Sequence, residues 1–182
     1  NQFKEPIRKL KDFLALQRER PATNNIKLDQ AVRFPQFIDF VAENSPRSGS
    51  PAIVIVLGSP LYLDHKEPGF SMVDGYFPSD GHLMASREKS VFGIKDRGQA
   101  LKDLVVHLAY FGDPCVSGIH QEKIIRFWDL YLKGQKARLA TLGGDLVTVF
   151  NAVRAGSAVS EAREARYEID RSQSKIEMLR IT

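Results

Sequence analysis

Asp80 and His82 are the residues whose types and spacing are best suited to chemistry in this sequence. An aspartate close to a histidine orients the imidazole ring and stabilises its protonated form, as a general base requires. Ser59 follows an apolar stretch and is the candidate nucleophile for such a base. The competing interpretation is structural, because Asp-Gly is a common turn pair in which the aspartate bonds its own backbone.

The same residues resemble the catalytic blocks of small serine esterases of the SGNH type. Asp80-Gly81-His82 is similar to the terminal Asp-x-x-His of that family, with one residue fewer, and Leu57-Gly58-Ser59 is similar to its nucleophile block. The resemblance implies a small serine hydrolase with Ser59, Asp80 and His82 as catalytic residues. Pro60 follows the serine where the family begins a helix, so the hydrolase is kept here as the alternative function.

Two apolar stretches predict the sheet that positions these residues. Ala52–Leu57 and Leu104–Phe111 are rich in β-branched residues and apolar on both faces, which is typical of parallel strands covered on both sides. Apolar residues at three- and four-residue intervals predict helices at 4–19, 28–44, 121–133 and 145–154. The predicted fold class is therefore α/β, a three-layer sandwich with a central, mostly parallel sheet and helices on both faces.

Residues 1–156 are predicted to form this single domain, and residues 157–182 a C-terminal tail or β-ribbon. Within the domain, residues 64–90 are an irregular excursion rich in glycine, proline and aromatic residues. Long ordered loops often carry function, and aromatic side chains contribute much of the binding energy of interfaces. We therefore expect exposed binding residues in this excursion, namely Phe70, Met72, Tyr76 and Phe77.

The composition is that of a soluble globular protein, with 43 % apolar and 26 % charged residues. Its longest apolar run, Ala52–Leu57, is far shorter than the roughly 20 residues that a membrane span needs. The first 33 residues hold eight Lys and Arg against four Asp and Glu, and thus the whole formal charge of +4. This basic helix is either a solvated face or a binding surface for an anion. Nucleic acid is not expected, because the cations do not alternate with aromatic residues as a stacking platform requires.

Cys115 is the only cysteine, which excludes a disulfide within the chain. A lone thiol is compatible with a reducing compartment and with an exported protein, so neither localisation nor oligomeric state is predicted. The sequence begins at Asn1 without a leader pattern, and we expect a processed product or an excised domain.

The stretch from Val105 to Gly156 resembles the closing half of a von Willebrand factor A-like (VWA-like) domain. In that family a strand ending in Phe/Ile-Gly-x is followed by a helix, a Gly-Gly turn and a last amphipathic helix. The similar residues here are Val106–Phe111 with Gly112-Asp113, residues 122–133, Gly143-Gly144 and Asp145–Val153. Val54–Gly58 is similar to the preceding central strand, so the resemblance covers about half of the chain.

The resemblance implies a three-layer sandwich used for contacts between proteins. We therefore predict a non-catalytic, VWA-like protein-interaction domain, with a protein partner and a contact surface built from residues 64–90. The family's metal-site motif is not intact, because no Asp-x-Ser-x-Ser follows a first strand and Gly58-Ser59-Pro60 replaces Ser/Thr-Asp-Gly. Only Thr23 and Asp64 are similar to remnants of that site. No cofactor is predicted, with a divalent cation as the alternative.

Overall fold

The described part of the chain has a mixed α/β fold with two small sheets. The computed structural model describes residues 8, 12, 32–44, 52–64, 66–99, 101–110, 112–155 and 167–181. The elements in chain order are α1 Phe34–Asn44, β1 Ala52–Leu57, a 3-10 turn Pro68–Phe70, β2 Tyr76–Pro78, α2 Gly81–Met84, β3 Leu104–Ala109, α3 Gly118–Lys133, β4 Arg138–Gly143, α4 Leu146–Ala155 and β5 Met178–Arg180.

The main sheet is parallel, with the strand order β1-β3-β4. β1 and β3 pair along their whole length, from Ala52 opposite Leu104 to Leu57 opposite Ala109. The prediction that the two most apolar stretches are neighbouring strands is thus confirmed. The register between β3 and β4 shifts after Val106, where β4 contains one more residue than β3.

β1 is buried on one face only. Val56 is 6 % exposed, whereas Ile53, Ile55 and Leu57 are 53 %, 42 % and 37 % exposed. The expectation that both faces of this strand are buried is therefore wrong for the described residues. The reason is its place in the sheet, because β1 is an end strand and α4 contacts β3 and β4 instead.

β4 has no counterpart among the predicted strands. Its six residues, from Arg138 to Gly143, are all half-buried, and two of the six side chains are polar. Such a strand lacks both the continuous apolar run of a fully buried strand and the regular alternation of a half-buried one. Its pairing with the strongly apolar β3 therefore determines its structure more than its own sequence does.

Aromatic rings form much of the core on which the sheet packs. Phe34 on α1 meets Trp128 on α3 edge to face, with centroids 4.8 Å apart. Phe92 contacts the same tryptophan at 5.8 Å and Tyr62 at 5.1 Å. The Trp128 indole N–H donates to the carbonyl oxygen of Pro60 at 2.7 Å, which ties the residues after β1 to α3.

The predicted helices agree with the structure where it describes them, except that residues 32 and 33 of the helix predicted at 28–44 are not helical. α3 and α4 correspond to the helices predicted at 121–133 and 145–154, and α1 to the second half of 28–44. Pro35 is the second residue of α1, where a missing N–H costs little. The helix predicted at 4–19, with its basic residues, lies outside the described residues except for Arg8 and Asp12, which are helical. Among the described helices, none combines the length and the apolar character needed to cross a membrane.

The described end of the chain returns to the 64–90 region. β5 pairs antiparallel with β2, with Met178 opposite Pro78 and Arg180 opposite Tyr76. We call residues 167–181 the C-terminal segment. Its pairing with β2 places it directly over the Asp80-Gly81-His82 sequence that begins α2.

Candidate functional site

Asp80 lies at the centre of a buried polar cluster at the start of α2. Its carboxylate is completely buried and accepts two hydrogen bonds from the guanidinium of Arg126, at 2.7 and 2.6 Å. It also accepts a bond of 2.5 Å from the backbone N–H of Asp170. The hydrogen bonds to Asp80 raise the pKa of Arg126. A bidentate pair with a further donor is the arrangement in which a protein tolerates a buried charge.

The neighbouring Ser79 contacts the backbone of the C-terminal segment. Ser79 Oγ donates to the carbonyl oxygen of Lys175 at 2.5 Å and accepts from the N–H of Glu177 at 3.3 Å. The carbonyl oxygen of Glu177 accepts from the Ser79 N–H at 3.0 Å. Arg126 adds a bond of 2.7 Å to the carbonyl oxygen of Glu168. The cluster therefore holds the C-terminal segment by its backbone, on both sides of the turn at residues 171–172.

His82 lies among aromatic rings, with centroids 5.6 Å from Phe70 and 5.5 Å from Phe92. Its Nε2 is 3.2 Å from the carbonyl oxygen of Glu177, which only accepts, so Nε2 carries the proton. Nδ1 then accepts from the hydroxyl of Ser90 at 2.7 Å. Burial lowers the pKa of His82 from 6.5 to about 4, because apolar surroundings disfavour the charged ring. Such a histidine is a poor general base at neutral pH.

Ser59, the candidate nucleophile, forms a separate local contact. It is buried after β1, and its Oγ accepts from the N–H of Leu61 at 3.2 Å in a short turn. Asp80 and His82 are neighbours at the start of α2, but each bonds other groups. Within the described residues, no hydrogen bond links any two of these three side chains, so their bonding gives the predicted catalytic set no support.

Of the two residues similar to a metal-site remnant, Thr23 lies outside the described residues. Asp64 is buried, lies 3.3 Å from Nε of Arg33 and accepts from the N–H of Lys66 at 2.9 Å. The positive charge beside this carboxylate is therefore an arginine of the chain itself. In the ranges that the structure describes, no three His, Cys, Asp or Glu side chains are grouped so that they could hold a metal ion.

The letters Asp-x-Ser-x-Ser do occur in the chain, at Asp170–Ser174, but in the C-terminal segment. There Asp170 Oδ1 accepts from the N–H and the hydroxyl of Ser172, at 3.0 and 2.6 Å. These bonds lower the pKa of Asp170, and the charge of Arg126 acts in the same direction. The motif therefore forms a turn next to the Asp80–Arg126 pair.

The four expected binding residues of the 64–90 region differ in exposure. Met72 is completely buried, so the expectation that it is exposed is wrong. Its backbone N–H bonds the carbonyl oxygen of Tyr62, which holds this part of the excursion against the core. Phe70 and Phe77 are half-buried against the same core, and Tyr76 is 36 % exposed. Tyr76 and the exposed parts of Phe70 and Phe77 are thus within reach of a partner.

Two residues that follow β3, Val116 and Ile119, are 51 % and 58 % exposed, and Val116 lies close to Gly75, which precedes β2. The buried His120 connects the two parts. Its Nε2–H donates to the Tyr76 carbonyl oxygen at 2.9 Å, and its Nδ1 accepts from the Val116 N–H at 3.4 Å. We call these four exposed or half-buried residues, Tyr76, Phe77, Val116 and Ile119, the 76/119 patch.

Two cations lie over the aromatic rings of the 76/119 patch. Lys123 Nζ is 5.9 Å from the centroid of Phe77, and the guanidinium carbon of Arg180 is 5.2 Å from that of Tyr76. The residues between β3 and α3 supply Val116, and β3 is the central strand of the parallel sheet. The patch therefore lies toward the carboxyl end of that strand, where open α/β sheets bind their ligands.

Sequence reasoning missed Arg126 and the C-terminal segment as parts of the polar cluster. Arg126 is 46 positions from Asp80, and Glu177 is 98 positions from Ser79. No local pattern expresses contacts over such separations. The available signal was the polar run Ser79–His82 within an aromatic-rich stretch, because buried polar groups require partners.

Comparison with known proteins adds no relative. No protein-family model matches the chain, and neither a curated protein nor a solved structure matches it significantly.

Proposed function

We propose that the chain is a non-catalytic protein-interaction domain of α/β, VWA-like type, and that its contact surface is the 76/119 patch. The observation that carries the proposal is the exposure of Val116, Ile119 and Tyr76 on two parts of the chain that His120 joins by hydrogen bonds. Contiguous apolar side chains at a surface mark interaction sites, and aromatic residues are enriched among the strongest contacts. The 64–90 region thus contributes half of the surface, and the start of α3 contributes the other half.

The charges on the patch indicate the chemistry of the partner. Lys123 and Arg180 lie over the two aromatic rings, so the apolar surface carries positive charge. A partner protein that presents an apolar side chain flanked by carboxylates complements this arrangement. Charge complementarity of this kind mainly raises the association rate and disfavours basic partners.

The proposal includes a three-layer sandwich as the architecture of the complete domain. His107 and Ala109 on β3 are buried, although they alternate along the strand with the core residues Val106 and Leu108. α4 contacts both β3 and β4. A helix layer on the second face of the sheet accounts for this burial, because successive side chains of a strand point to opposite faces.

A photo-crosslinking amino acid at position 119 tests the surface, with position 147 on α4 as the control. Val147 is 67 % exposed and Ile119 is 58 % exposed, so a partner could reach either position. We expect a defined crosslinked partner from position 119 only. With that partner purified, Ile119→Asp should weaken binding about tenfold or more, and Val147→Asp should leave it unchanged. Equal crosslinking from both positions, or an unchanged affinity for Ile119→Asp, contradicts the proposal.

The alternative, a small serine hydrolase using Ser59, Asp80 and His82, stays a prediction. A generic esterase assay of the chain and its Ser59→Ala variant separates the two functions. Activity that disappears in Ser59→Ala would support the hydrolase and contradict a non-catalytic domain. Activity that survives the substitution removes Ser59 from the chemistry.

A further inference from the structure

The C-terminal segment contributes nothing to the fully buried core. Every buried apolar side chain of the described residues lies between Phe34 and Val149. In the C-terminal segment, the side chains from 168 to 177 are exposed, and only Tyr167, Met178, Leu179 and Ile181 are half-buried. The segment therefore lies on the outside of the core, where its half-buried Tyr167 and Met178 pack against it.

The groove beneath the segment binds it by its backbone. Four fixed side chains, Ser79, Asp80, His82 and Arg126, contact backbone N–H or carbonyl groups of the segment at positions 168, 170, 175 and 177. β2 adds a short antiparallel ladder with β5. Recognition of an extended chain by its main-chain groups, with a few apolar anchors, is the usual mode of strand addition.

The groups of the groove that bind the segment are polar, so detaching the segment costs less free energy than opening an apolar core would. If the segment leaves, Asp80, Ser79 and His82 exchange protein hydrogen bonds for bonds to water. Within the segment itself, the apolar side chains that would lose contacts are the half-buried ones at its two ends. A surface of this kind is suited to a reversible contact.

We propose that this groove is a binding site for a peptide segment, that residues 167–181 are its resident ligand, and that the same segment of a second copy of this chain can replace it. A second copy offers the identical sequence, so every contact is reproduced. Residues 156–166 separate α4 from the segment, and eleven residues span at most roughly 36–40 Å when extended. Exchange of an identical element between two copies is a low-cost route to a dimer. The proposal does not depend on the 76/119 patch or its partner.

The test uses the whole chain with a protease site introduced between Ala155 and Tyr167. After cleavage, a fluorescent peptide of residues 167–182 is titrated and followed by anisotropy. We expect saturable one-to-one binding to the cleaved chain and much weaker binding to the intact chain, whose tethered segment competes at an effective concentration of about 1 mM. A scrambled peptide of the same composition should bind much more weakly, because it displaces half-buried anchors such as Met178 and Leu179 relative to the backbone contacts.

Two glycine variants connect the binding to the groove. A Cβ at Gly81 would overlap the carbonyl group of Lys175, whereas a Cβ at Gly118 has open space around it. Gly81→Ala should weaken peptide binding about tenfold or more, and Gly118→Ala should change it less than about twofold. Equal effects of the two variants overturn the assignment of the groove.

The remaining outcomes also decide the proposal. If cleavage abolishes the circular dichroism signal of the folded chain, the segment is an integral part of the fold and the groove is not a binding site. If the cleaved chain stays folded but never exchanges its segment, the proposal fails as well. For the intact chain, analytical ultracentrifugation should show a dimer that grows with concentration and is missing from a chain that ends at residue 166. A monomer at every concentration overturns the second copy as the occupant.

Discussion

Replacing Arg126 with methionine is the most direct perturbation of the buried polar cluster. The substitution keeps much of the side-chain length but removes the two donors that bond Asp80 and the donor to the Glu168 carbonyl oxygen. Asp80 then remains buried with only the Asp170 N–H as a donor. The C-terminal segment loses one of its backbone contacts in the same step.

The expected cost follows from the burial of the two partners. Removing one member of a buried ion pair costs about 3–5 kcal/mol, because the remaining charge has no counterpart. The Asp80 side chain is 1 % exposed, but that of Arg126 is 23 % exposed, so water reaches one side of the pair. We therefore expect the lower end, a loss of about 3 kcal/mol in the free energy of unfolding.

Urea unfolding at neutral pH measures this loss, with Arg171→Met as the matched control. Arg171 belongs to the same segment but has an exposed side chain, and its removal should cost less than about 0.5 kcal/mol. The double variant Asp80→Leu/Arg126→Met should recover part of the loss, because it leaves no unpaired charge. A cost of less than about 1 kcal/mol for Arg126→Met would refute the reasoning that the pair is buried and holds the segment.

Three further expectations concern titratable groups of the core. Because the pKa of His82 falls from 6.5 to about 4 on folding, the unfolded chain binds more protons between these values. The free energy of unfolding should thus decrease by about 3 kcal/mol as the pH falls from 6.5 to 4, and a His82→Gln variant should lack this decrease in urea titrations. Burial raises the pKa of Tyr131 to about 12, and its hydroxyl has no hydrogen-bond partner among the described residues. Tyr131→Phe should therefore leave the urea midpoint unchanged or raise it, and a loss above about 1 kcal/mol would contradict this. Burial also raises the pKa of Cys115 to about 11, so thiol labelling at pH 8 should be about a hundredfold slower in the folded chain than in urea.

The fold was predictable where one element's sequence is sufficient to specify it. β1 and β3 are continuous β-branched runs, and α3 and α4 repeat apolar residues at helical intervals, so each carries its own signal. β4 does not, because its half-buried, mixed sequence becomes a strand through pairing with β3. Sequence patterns therefore identified β1 and the central strand β3 and missed β4.

The exposure of β1 shows a second limit of prediction from the sequence. Its sequence is apolar on both faces, which correctly indicates a strand but carries no information about which face is covered. Coverage depends on where the helices cross, and α4 contacts β3 and β4. For the same reason Met72 was expected at the surface. A methionine in a glycine-rich excursion carries no local sign of burial, whereas the structure packs it into the core.

The Asp80-Gly81-His82 sequence was interpreted through two alternatives, a catalytic pair and a local turn, and the structure adds a third. Asp80 and His82 are 0 % and 1 % exposed, and their polar atoms are bonded to backbone groups about 90 residues away, to Arg126 and to the hydroxyl of Ser90. Catalysis needs the same residues but requires access for a substrate and a histidine that titrates near neutral pH. Neither condition is met while the C-terminal segment is in place, because the Glu177 carbonyl oxygen covers Nε2 of His82 and burial lowers the pKa of the ring to about 4. Any chemistry at His82 should therefore be found in the cleaved chain after loss of residues 167–182 and not in the intact chain. Esterase activity of the intact chain that requires His82 would contradict this expectation.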